Sequence, residues 1–288
     1  MIRRLLPLML LAAAPLTAQQ REVRAMRAAP DAAIRLWIPA GMVEVEGWDH
    51  DSVEVRATAA KGVRFDGGGS PDAVKFALEK LRTTDTLLPS AQLRVFVPRG
   101  ARVWIKSTTA AVEVRGMAGE LDVLQVTGRT VVRDAGGVVS VESIDGAILV
   151  ARPTGVVRIR GGSGSARVEE ASGTIDVSLV SGNLLLTKNT RWSASATEDP
   201  GPPLQGRVET VSGKVYFLGS LGAGGRLEVA THDGLVDLQL VGVKPPRVET
   251  AVASATVAPA LRGADPRNGH FVLRSFKGAV NAAYFSGI

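Results

Sequence analysis

The sequence predicts an all-β fold: a β-solenoid built from nine-residue strand–turn units, with two strands in each eighteen-residue coil. Three observations predict it. Glycine stands at Gly119, Gly128, Gly137, Gly146, Gly155, Gly164, Gly173 and Gly182, eight in succession at a spacing of nine. Apolar, mostly β-branched residues follow two and four positions after most of them, as in Leu121/Val123, Val139/Val141, Ile148/Val150 and Ile175/Val177. Alternation of this kind over about five residues is a strand with one face buried. Finally, the residue two before the glycine alternates between large (Val126, Ile144, Val180) and small (Ala135, Pro153, Ala171), with Met117 and Gly162 breaking the pattern. That alternation doubles the period to eighteen and places one strand of each coil on each of two parallel sheets. The alternative is an antiparallel β-meander, for which Asp145-Gly146 and Asp233-Gly234 supply suitable hairpin turns.

Taken in order, residues 1–18 read as a signal peptide. Arg3 and Arg4 precede a twelve-residue apolar run, and Leu16-Thr17-Ala18 offers a cleavage site before Gln19. Twelve residues with two prolines are too short to span a bilayer. Residues 19–288 then form one β-repeat domain. Val43/Val45 and Val53/Val55 are strands flanking a polar turn at Trp48–Asp51, and residues 67–71 (GGGSP) read as a loop. Residues 73–81 fit both a strand and a helix face, with the strand preferred. The eight glycines serve as structural turn residues with left-handed φ. An insertion loop occupies 189–204, where Pro202-Pro203 excludes a ladder strand. Gly213, Gly222, Gly225, Gly234 and Gly278 resume the beat towards the end.

Composition narrows the chemistry. The 288 residues contain no cysteine, which removes disulfides, thiol catalysis, cysteine-based zinc sites and a lipid-modified N-terminal cysteine. The formal charge of +6 becomes +4 without Arg3 and Arg4. The basic residues are scattered among acids and aromatics are 5%, so no nucleic-acid surface is expected. A calcium β-roll needs an aspartate in each turn, and the closest match, Gly161-Gly162-Ser163-Gly164-Ser165-Ala166, has alanine there. His50, His232 and His270 are isolated, so neither a metal nor a cofactor is expected. Asp122 and Glu142, about 8 Å apart in the expected register, are the one carboxylate pair with glycosidase spacing. Arg158 beside Asp176 and Arg160 beside Glu142 make a cross-strand ion ladder of these positions, so no enzyme is expected.

Gly41–Asp49 (GMVEVEGWD), Val95–Ala101 (VFVPRGA), Val211–Val215 (VSGKV) and Arg274–Gly278 (RSFKG) resemble a bacterial putative-adhesin family of exported β-strand-repeat proteins. The resemblance covers nearly the whole mature chain and implies a solenoid-like β fold. The family's function is largely unassigned, and the Asp its members carry after the turn glycine is replaced here by Arg129, Ala147, Ser165 or Asn183.

One column is unusual for an outer face. Val131, Leu149, Arg167 and Leu185 stand three residues after Gly128, Gly146, Gly164 and Gly182 and point away from the core by the pleat. A largely apolar column of this kind is expected to be covered by the chain or to be a partner-binding strip. The expected function is therefore a non-enzymatic, adhesin-like binding or scaffold role at the cell envelope, periplasmic or extracellular without a lipoprotein anchor. The partner would be an envelope protein or a surface polysaccharide. A β-helix polysaccharide-active enzyme and a structural spacer are the competing readings.

Overall fold

The structure, a computed structural model, describes residues 20–59, 62–81, 86–188 and 203–286. The signal peptide and most of the insertion, 189–202, lie outside the described residues. The N-terminal part comprises β1 (Gln20–Arg27), β2 (Ala33–Trp37), β3 (Ala40–Trp48), β4 (Ser52–Ala59), β5 (Val63–Ser70), β6 (Ala73–Lys80) and β7 (Ser90–Pro98). The glycine-spaced region holds β8 (Arg102–Ser107), β9 (Ala111–Arg115), β10 (Glu120–Arg133), β11 (Val138–Ala151), β12 (Val156–Gly161), β13 (Ala166–Glu169), β14 (Gly173–Leu179) and β15 (Leu184–Lys188). After the insertion come β16 (Leu204–Thr210), β17 (Val215–Gly219), β18 (Arg226–Thr231), β19 (Val236–Gly242), β20 (Arg247–Val257), the short helix α1 (Pro259–Arg262) and β21 (His270–Ser286). Residues 73–80 are a strand, as preferred. The GGG run is also in a strand rather than a loop, because β5 pairs along its whole length with β6.

All-β is right, but the β-solenoid of two separate sheets is corrected, and so is the meander. The pairings close on themselves. β11 runs beside β12, then β14, β16, β18 and β21, and returns from β21 through β19, β17, β15 and β13 to β11. The result is a closed barrel of ten parallel strands with further strands outside it. The physical reason lies in β10, β11 and β21, which pass straight through positions read as turns. Thr127 pairs with Asp145, Gly128 with Gly146 and Arg129 with Ala147 in one unbroken ladder. Strands that continue through the corner join both halves into one sheet, and parallel pairing throughout excludes a meander. Among the described residues, antiparallel pairs occur only outside the ring, β1 with β4, β4 with β7, and β5 with β6.

Alternation fills the interior. Leu121, Val139, Val157 and Ile175 are hydrogen-bonded neighbours at a sequence interval of eighteen, and all are buried. Phe217 on β17 meets Phe271 on β21 with ring centroids 5.1 Å apart, so opposite arcs of the ring interdigitate.

The glycine spacing has a different cause from the one expected. Of the eight, only Gly128 and Gly173 have left-handed φ, 117° and 111°. The others are required by close approach: a Cβ on Gly155 would lie 1.9 Å from the carbonyl oxygen of Gly137, and one on Gly182 1.8 Å from that of Gly164. The left-handed positions recur elsewhere, at Gly116, Asp134, Arg152 and Glu170, again eighteen apart.

Candidate binding groove

The alternation of large and small corner residues separates two unlike edges of the barrel. Met117, Ala135 and Ala171 are buried, each directly following the turn that carries a left-handed residue. The large set is exposed. Register places Val126 beside Ile144, between the pairs Gln125–Ser143 and Thr127–Asp145. Backbone bonds from Ser163 to Ile144, Ser181 to Gly162, Ser212 to Val180, Asp233 to Val211 and Lys277 to His232 (2.8–3.0 Å) then continue the line. The corner is thus a ladder of Val126, Ile144, Gly162, Val180, Val211, His232 and Phe276. At one strand spacing per rung it is about 29 Å long. Ile144 is 64% exposed, Val180 56%, Val211 51% and Phe276 69%. His232 and Phe276 stack with centroids 5.1 Å apart.

Beside the ladder runs a groove. Its larger part, about 840 Å³, lies against Ile144, Gly162 and Val180, and a second part of about 560 Å³ lies against Val211, His232 and Phe276. The two parts share Ser178 and Glu209. Gly161 and Gly162 open the floor where every neighbouring rung has a side chain. The opposite wall is the outward column Leu124, Glu142, Arg160, Ser178, Glu209, which the register sets one residue per strand. Further along the same column stand Lys106 and Trp37. Trp37 is 49% exposed, and Lys106 lies 6.0 Å from its ring centroid. Three acids (Glu142, Asp176, Glu209) and three arginines (Arg160, Arg207, Arg274) line the groove, so its charge is balanced.

The remaining sequence candidates are placed as follows. Val131, Leu149, Arg167 and Leu185 do form one line, each the direct partner of the next. Val131 is fully buried, Leu149 and Leu185 are half-buried, and Arg167 is exposed and bonded to Glu169. Glu142 is the cross-strand partner of Arg160, and Arg158 of Asp176, in the ladder arrangement expected. Asp49 pairs with Arg99 at 2.7 Å, and His50 packs edge-on against Trp48, whose indole N–H donates to the Ser52 carbonyl. His270 sits between Arg226 (3.0 Å) and Glu249 (3.4 Å). No group of three or more potential metal ligands occurs among the described residues.

A buried cation occupies the filled corner. Lys188 donates to the Ala171 carbonyl at 2.7 Å, and burial pushes its ammonium below the usual lysine range, opposed by the nearby Glu170. Asp134, Arg152, Glu170 and Lys188 follow at intervals of eighteen with alternating sign, and Arg152 grips Asp134 through two bonds of 2.7 and 2.9 Å. The ladder was visible in sequence only as the large half of an alternation; nothing there said which corner was open.

No family model and no curated protein matches the sequence. Among solved structures, the chain is similar to a putative adhesin from Bacteroides fragilis, with 8% identity over 93% of this chain and 99% of that one and a TM-score of 0.44. A putative adhesin from Parabacteroides merdae shares 10% identity over 92% and 96%, TM-score 0.43. A structure from Parabacteroides distasonis named a putative lipid binding protein shares 9% over 91% and 97%, TM-score 0.41. The neighbours named putative adhesins carry the name of the family that the sequence resembles.

Proposed function

We propose that the chain is an exported, non-enzymatic binding protein of the cell envelope that holds a neutral, extended surface polysaccharide along the corner groove. The observation that carries this reading is the corner ladder of about 29 Å, in which five of the seven rungs, Val126, Ile144, Val180, Val211 and Phe276, are exposed apolar side chains, because a large exposed apolar patch on a protein surface marks a contact site. Three features support the ligand class. The groove runs across many strands and suits an extended chain better than a compact molecule. Its three acids and three arginines favour neither a polyanion nor a polycation. One wall is apolar and the other offers hydroxyl, carboxylate and guanidinium groups, matching a sugar's apolar faces and hydroxyl rims. We assign the contact to this ladder rather than to the line through Val131, Leu149, Arg167 and Leu185, because Val131 is fully buried. Export rests on residues 1–18, where Arg3 and Arg4 precede the twelve-residue apolar run.

The test is affinity electrophoresis of the purified chain in gels containing hydroxyethylcellulose, dextran or yeast mannan, with dextran sulfate as the charged comparison. Retardation by at least one neutral polymer is expected, with at least a tenfold loss in the double variant Ile144→Asp/Val180→Asp. Both side chains are more than half exposed, so the melting temperature should stay within about 2 °C of wild type. Unretarded migration in all three neutral polymers would refute the ligand class.

A further inference from the structure

We propose that β20 is the surface through which two copies of this chain pair, edge to edge in antiparallel fashion about a two-fold axis passing between Val252 and Ala253.

Three strands at the margins of the sheet have one strand partner each among the described residues: β1 with β4, β5 with β6, and β20 with β21. An edge strand presents unpaired backbone N–H and C=O groups, and charges or distortion normally keep a second chain away. β1 carries Arg21, Glu22, Arg24 and Arg27 in eight residues. β5 carries Arg64, Asp66 and a run of three glycines. β20 differs, because Thr250 to Val257 (TAVASATV) contains no charge, no proline and mostly small or β-branched side chains. Residues 249–251 and 253–256 are exposed. Helix α1 inserts Leu261 into the core beside this strand and leaves those residues uncovered.

Geometry then selects the partner. The pairing of β20 with β21 breaks its register between Val252 and Ser254, so the strand is bent there. Two bent strands pair along their whole length only if the bends coincide, which puts the two-fold at the break. Inside-facing residues change parity across it: Val248 and Thr250 align with buried Phe271 and Leu273, whereas Ala255 and Val257 align with buried Val280 and Ala282. An axis between Val252 and Ala253 keeps inside opposite inside. It sets Val248 against the second copy's Val257, Thr250 against Ala255, and Glu249 against Thr256. No like charges meet, and two valines that are nearly buried in one copy close over each other. A head-to-tail contact would instead bring this edge against the charged β1 or the glycine run of β5.

The register makes Thr256 the diagnostic position, being exposed and opposite Glu249 of the other copy. Sedimentation velocity over a concentration series should show a monomer–dimer equilibrium for the full chain. Thr256→Glu places two like-charged pairs in the dimer and should weaken it about 2–30-fold, whereas Thr256→Lys should tighten it by a similar factor. The double variant Glu249→Lys/Thr256→Glu should reverse the loss and associate about as tightly as Thr256→Lys, because the opposite-charge pair is the same with its signs exchanged. Circular dichroism of all variants should match wild type, and so should melting of the two Thr256 single variants, while Glu249→Lys also removes the 2.8 Å pair with Arg247 and is compared by circular dichroism alone; this separates failed pairing from failed folding. A wild type that stays monomeric throughout, or Glu and Lys variants that shift in the same direction, would overturn the proposal.

Discussion

A methyl group on Gly137 would place its carbon 1.8 Å from the carbonyl oxygen of Gly119 and 2.5 Å from that of Ala118. Real Cβ contacts stay beyond about 3.0 Å, so the two backbones must separate by at least 3.0 − 1.8 = 1.2 Å. Neither contact is a side chain that can swing away. Separation on that scale breaks the bond from the Val138 N–H to the Gly119 carbonyl, now 3.1 Å, and strains the next one outward, from the Val156 N–H to the Gly137 carbonyl at 3.0 Å. One or two lost backbone bonds plus the overpacking strain come to about 2–4 kcal/mol for Gly137→Ala. In a chain of this size that lowers the melting temperature by about 5–15 °C. The adjacent Gly136 is the internal control, because a Cβ there meets nothing nearer than the Thr154 hydroxyl at an ordinary 3.5 Å, with backbone atoms of Ala118 and Met117 at 3.9 Å, and its φ is not left-handed. Gly136→Ala should leave stability unchanged or raise it slightly. The assay is thermal and urea unfolding of both variants by circular dichroism. If the two curves overlay, close backbone approach is not what fixes the nine-residue spacing.

Two further outcomes follow from the same geometry. Ile148 is buried in the core, and Ile148→Ala should cost about 2–5 kcal/mol by leaving a cavity, read as a lower urea midpoint with an unchanged slope. The Arg152 guanidinium bonded to Asp134 holds that carboxyl below the usual carboxylate range. A depressed folded-state pKa gives stability that is present above the unfolded value of about 3.9 and is lost as pH falls through the folded one. Asp134→Asn should therefore be slightly less stable than wild type at neutral pH, with the difference vanishing on acidification below about pH 3.9. A gap that persists or widens in acid would show that the pair does not titrate as described.

Local pattern determined much of this protein. Alternation in segments such as Val139/Val141 and Ile175/Val177 identified strands and their buried faces, because the pleat makes side-chain direction a property of adjacent residues. The eighteen-residue interval foretold which residues become hydrogen-bonded neighbours, including the line from Val131 to Leu185 and the pairing of Glu142 with Arg160. What the glycines were for was not legible. Turn strain and backbone crowding both demand a missing Cβ, and only the position of the Gly119 carbonyl distinguishes them at Gly137. Closure of the sheet was hidden for a related reason: whether the chain turns or continues at Gly128 and Gly146 depends on hydrogen bonds between strands eighteen residues apart. Exposure of Val126, Ile144, Val180 and Val211 likewise belongs to the tertiary structure. An apolar residue at a corner is core if the corner folds inward and surface if it does not, and the choice is made by packing of the whole ring, not by the residue or its neighbours in sequence.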